Sequence, residues 1–165
     1  MRNKNIALSS LLLAVSLVLS YLEGFIPFPV PGFKLGLANI AILVALYTMG
    51  PLCAFVICIL KCLFSSLFSF GITAFLFSLA GGLLSLFVMI FLKKYFSRSV
   101  SIYGVSIAGA AFHNLGQIII ASVIMETSLY TTYLPILLLL SVISGAVTSV
   151  IARASIKAVN ASKGT

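Results

Sequence analysis

The chain has no aspartate and no tryptophan, and its acids are two glutamates, Glu23 and Glu126. A reaction built on paired carboxylates, or on magnesium held between acids, has almost nothing to work with here. The sequence also lacks a Gly-x-x-x-x-Gly-Lys-Ser/Thr loop, so it does not hydrolyse ATP itself. Its one histidine, His113, stands without an acid or thiol at ligand spacing, which argues against a zinc hydrolase. The three cysteines, Cys53, Cys58 and Cys62, share one apolar run, and an odd count inside such a run reads as small packing residues rather than a disulfide framework. These absences lead us to expect no enzymatic activity, no metal and no cofactor.

What is present is apolar. Of the 165 residues, 62% are hydrophobic and 7% are charged, with a mean hydropathy of +1.28. No soluble domain of this size could hide so much apolar surface, so an all-α integral membrane protein in the cell membrane is expected. A net charge of +8 would point to nucleic acid in a soluble protein. Here the basic residues sit at the ends of apolar runs, which is the pattern of membrane orientation, with a lipid bilayer and no nucleic acid as partner.

Six runs read as transmembrane helices of a single domain covering 1–165, at about 6–22, 35–49, 52–70, 73–92, 102–125 and 133–151. The first begins after Arg2 and Lys4, as a signal peptide would, but it lacks a clean Ala-x-Ala site and leads into further spans, so an uncleaved helix is expected. Gly50-Pro51 breaks the second run from the third. Six spans put both termini on one side. Arg2, Lys4, Lys93, Lys94, Arg98, Arg153, Lys157 and Lys163 then share that side and Lys34 faces them, which places the termini in the cytoplasm. Within the first helix Ser10 and Ala14 are four apart, with Ala7 on nearly the same side, a small-residue face that lets another helix approach.

The chain is organised around residues 21–49. Alternating Pro27, Pro29 and Pro31 remove backbone donors and stiffen a connection that has Glu23 at one end and Lys34 at the other. Two readings stand: a tight turn between helices, or a lid over a pocket whose first polar groups are Glu23, Lys34 and Asn39. In the proposed topology Lys61, Ser78, His113, Asn114 and Gln117 gather in the outward half, while the inward half reads as small and apolar. A lysine at depth costs about 2.5–3.5 kcal/mol on insertion scales and normally faces a partner or a wet cavity. The alternative for Lys61 is to snorkel to the headgroups. A site this rich in donors suits a small ligand with a carboxylate or phosphate and an apolar body.

The run Pro-x-Pro-x-Pro-Gly-x-Lys-Leu-Gly-Leu-Ala-Asn (27–39), the Ser-Leu-Ala-Gly-Gly-Leu-Leu-Ser of 78–85 and the His-Asn-Leu-Gly-Gln of 113–117 resemble the Gx transporter family. That family is also labelled heptaprenyl diphosphate synthase component I, and looks like a branch of the substrate-binding S components of energy-coupling factor (ECF) transporters. The resemblance implies a six-helix bundle that captures a vitamin-like or isoprenoid or quinone-precursor compound and docks on a T-type transmembrane component carrying two cytoplasmic ATPases. It implies Glu23, Lys34, Asn39, Lys61, Ser78, His113, Asn114 and Gln117 as candidates for substrate binding. Ser10 and Ala14 resemble the Ala-x-x-x-Ala docking stripe, with serine in the first place, and Ala7 beside them is a further docking candidate. The second label implies an alternative, a noncatalytic membrane subunit associated with heptaprenyl diphosphate synthase.

Overall fold

A computed structural model describes residues 2–26, 36–68, 71–125 and 130–163. Among these residues the chain is all helix: α1 (Arg2–Glu23), α2 (Asn39–Thr48), α3 (Pro51–Phe68), α4 (Ile72–Tyr95), α5 (Ile102–Met125) and α6 (Tyr130–Lys163). Lys34, the three alternating prolines and Glu126 lie outside the described residues. Four helices, α1, α4, α5 and α6, are long and apolar enough to cross a membrane.

The second helix differs from the expected span of 35–49. It has ten residues, about 15 Å of helix against a hydrocarbon layer of about 30 Å. Gly36, at φ +84°, sets its start, because a side chain there would be strained. At the other end Gly50, at φ +100°, lets its own N–H and that of Met49 both bond back to the Ala45 carbonyl, and Pro51 then opens α3 where a missing N–H costs nothing. Every residue from Asn39 to Leu46 is buried. The helix is apolar all round because it is the centre of the bundle, packed by α1, α3, α4 and α6.

A half-length helix must be held at its free ends. Lys93, in the last turn of α4, donates to the Leu46 carbonyl at 2.6 Å and lies 4.7 Å from the centre of the Tyr47 ring. The cation meets the negative end of the α2 dipole as well as an orphan carbonyl. Lys93→Met should lower the melting temperature by the equivalent of about 1 kcal/mol, read by thermal unfolding in detergent. An unchanged midpoint would mean that other packing fixes this end.

Small residues set how closely the outer helices approach. A Cβ on Gly116 of α5 would stand 2.7 Å from the Ala80 carbonyl oxygen of α4, and one on Gly145 of α6 would stand 2.6 Å from the Ile107 Cα of α5. Backbones meet at both places. The sixth helix does not end near residue 151 as expected; it continues through Lys163, because 152–161 is rich in strong helix formers and Ala152 and Ile156 still pack on the core. At that same end Arg153 donates to the Tyr103 hydroxyl at 2.9 Å.

Candidate functional site

The polar residues assemble from the middle of the bundle toward the end where α1 stops. Glu23, the last residue of α1, is 3% exposed, and its carboxylate accepts the backbone N–H of Leu37. Leu37 and Gly36 form the tight turn that starts α2, since their carbonyls accept the N–H groups of Ile40 and Asn39. Glu23 thus acts as a cap, a negative charge at the positive end of α2. This fixes α1 to the start of a helix that begins halfway through the bundle.

Gly36 is wedged between two of the candidates. A Cβ on it would lie 3.0 Å from Asn39 Nδ2 and 3.2 Å from His113 Cδ2. On the far side of the ring, a Cβ on Gly81 would lie 2.9 Å from His113 Nδ1 and 2.8 Å from the His113 carbonyl oxygen. Two glycines therefore make room for the imidazole, one from the start of α2 and one from α4. His113 Nε2 is 3.2 Å from Gln117 Nε2, one turn along α5. When the amide nitrogen donates, Nε2 accepts and the ring proton sits on Nδ1.

Lys61 belongs to the inward face of α3 with Cys58, Cys62 and Ser65, all buried. The Cys62 thiol donates to the Ser78 carbonyl at 3.3 Å, and the sulfurs of Cys58 and Cys62 close over Gly82, which joins this face to α4. Lys61 is 2% exposed, and no hydrogen bond or ion pair joins its ammonium to any described residue. It is drawn into the bundle rather than out along the helix surface. The Ser78 hydroxyl is sealed and has no partner among the described residues. Gly82, under the Cys58 and Cys62 sulfurs, is the neighbour of Gly81, on which the His113 ring rests.

Asn114 is equally buried but serves another contact. Its amide nitrogen donates to the Leu137 carbonyl at 3.1 Å and to the Ser141 hydroxyl at 2.8 Å, both on α6, because one residue along a helix turns the side chain to the neighbouring face. Asn114→Leu should cost about 0.6–1.7 kcal/mol, from the average to the largest value found for single interhelical bonds in a membrane protein, and the loss is readable as an earlier thermal transition. Ala7, Ser10 and Ala14 are all exposed on the side of α1 away from the bundle.

Three features lie beyond the sequence candidates. The half of the bundle expected to be small and apolar also carries buried hydroxyls, Ser85, Ser106, Thr148 and Ser149, since single serines in apolar runs give no period of their own. Gly36 and Gly81 were visible inside the quoted motifs, but only the packing shows that they hold His113. An apolar groove of about 460 Å³ runs along the outside of the α3, α4 and α5 surface, past Phe55, Ala80, Phe87, Gly116 and Ile119. None of the polar candidates lines it.

Comparison with protein families gives a match over residues 12–155 to the family described as heptaprenyl diphosphate synthase component I. Neither characterised proteins nor solved structures give a significant match to the chain.

Proposed function

The chain belongs to the heptaprenyl diphosphate synthase component I family, and from that footing we propose that it is the substrate-binding membrane subunit of an ECF-type uptake transporter. Its ligand is a small anion with an apolar body, of the vitamin-like or isoprenoid or quinone-precursor kind. The observation that carries this reading is Lys61. A lysine side chain 2% exposed, with no hydrogen bond or ion pair to its ammonium among the described residues, is costly, and an anion brought to it would offset that cost. Asn39, Ser78, His113 and Gln117 would orient the anion's other atoms, with Glu23 holding the start of α2 beside them and Lys34 adding charge from the connection.

In this reading the bundle has six crossings, with α2 the short central one, and both termini in the cytoplasm of a cell-membrane protein. Energy comes from partners. The exposed small-residue face of Ala7, Ser10 and Ala14 suits a helix of a T-type transmembrane component, to which two cytoplasmic ATPases attach. The chain itself performs no catalysis.

The test is native mass spectrometry of the protein purified from its own membrane in mild detergent. Transport predicts an added mass that dissociates as a small anion. A protein that emerges bare, and binds no anion extracted from the growth medium, would refute the proposal.

The family's description favours a second reading, a noncatalytic membrane subunit associated with heptaprenyl diphosphate synthase. Under that reading deletion of the chain lowers prenyl synthase activity of the membranes. Under the transport reading it leaves that activity unchanged.

A further inference from the structure

Below Asn39 the helices α2, α4, α5 and α6 leave a gap of about 10 Å³, lined by Gly36, Asn39, Met89, Ser106, Gly109 and Thr148. Asn39 is 5% exposed, and neither atom of its amide has a partner among the described residues. The Ser85 hydroxyl is also sealed without a partner, and it reaches the same wall, since a Cβ on Gly109 would stand 3.2 Å from it. Each such group costs about 1–3 kcal/mol when buried and unmet, and folded interiors leave few of them. Both atoms of one such side chain, Asn39, belong to the lining of this gap. Its size is that of about one water centre, and its walls offer the two to four polar contacts that a buried water requires.

We propose that this gap is a hydration site holding one ordered water, shared by the Asn39 amide and the hydroxyls of Ser106 and Thr148. The donors and acceptors balance. The Ser106 hydroxyl already donates to the Gly145 carbonyl at 2.8 Å, so it presents only lone pairs, to which the water donates. Thr148 and the amide can each give or accept, and they take the remaining positions. A sodium ion fits the same gap poorly, because no carboxylate lines it to balance the charge. Water held from below fixes one end of the Asn39 amide. The other end is then presented to the ligand in a set direction, a consequence that rests on the transport reading, whereas the hydration itself does not.

Met89 makes the proposal measurable, because it lines the gap and is 2% exposed. X-ray pulses convert bound water to hydroxyl radicals, which oxidise an adjacent thioether to the sulfoxide. The full chain in lipid nanodiscs, with no ligand added, would be irradiated and the oxidation of Met89 compared with that of partly exposed Met49 by mass spectrometry. Oxidation of Met89 at a rate comparable to Met49 is expected. Thr148→Val keeps the side-chain shape but removes the hydroxyl, and should cut that rate about threefold or more by depopulating the water. Met89 left unoxidised at doses that oxidise Met49 would show a dry gap and overturn the proposal. So would unchanged labelling in a folded Thr148→Val, or labelling that appears only when sodium is replaced by choline, which would mark a cation as the occupant. The wild-type comparison decides the matter even where the variant fails to fold.

Discussion

Lys61→Met is expected to weaken capture of the anionic ligand by about 30-fold to 5,000-fold, from the roughly 2–5 kcal/mol that follows loss of one partner from a buried charge pair. The same substitution should raise the stability of the unliganded protein. In that state no described residue pairs with the ammonium, so replacing it with a flexible apolar chain of similar length removes a buried charge. Comparable replacements in soluble cores range from neutral to about 1–4 kcal/mol stabilising, and a chain of this size gains about 2–4 °C in melting temperature per kcal/mol. The opposed signs give the prediction its force. A lysine that only braces the fold would lose stability when replaced and leave binding untouched. Isothermal titration with the purified ligand and a melting curve of the same preparation read both effects.

Gly116→Leu should be the most damaging single change to the fold. Its first added carbon would stand 2.7 Å from the Ala80 carbonyl oxygen and 2.9 Å from the Gly81 Cα, and neither backbone atom can rotate away. The α4–α5 seam must open along its length. Overpacking costs about 1–3 kcal/mol where side chains can adjust, and more is expected where two helix backbones carry the strain. Opening the seam also withdraws Gly81 from the His113 ring, so the site should fail with the fold. The measurement is the fraction recovered as a single species on size exclusion after detergent extraction. Gly71→Ala is the matched control: its nearest neighbour would be Thr73 Oγ1 at 3.5 Å, an ordinary contact, and recovery should equal that of the parent.

The parts of this structure that were legible in the sequence are those with a local cause. The fourth and fifth helices begin and end close to their expected limits, because long apolar runs bounded by Gly71 and by the basic turn at Lys93 and Lys94 have one reading. Burial of Lys61 and His113 was legible for the same reason, a polar residue fixed in an apolar run. The start of α2 was not. Its run is apolar from residue 35, and nothing in the periodicity says that the helix waits until Asn39, since a helix buried on every side has no polar face to mark its register. The role of Glu23 was hidden in another way. Its partner is a backbone N–H fourteen residues on, and a backbone donor leaves no trace in the sequence. Asn114 was grouped with His113 by depth and by their shared motif, whereas the 100° turn between neighbours on a helix sends its amide to α6.

The most direct measurement is affinity purification of the tagged chain from its native membrane in mild detergent, with the co-purifying proteins identified by mass spectrometry. The account predicts a T-type membrane protein and two ATPases, and their loss when Ser10 and Ala14 are replaced by leucine. Recovery of a prenyl synthase subunit with no ATPase would contradict it and make this chain a membrane anchor for isoprenoid synthesis.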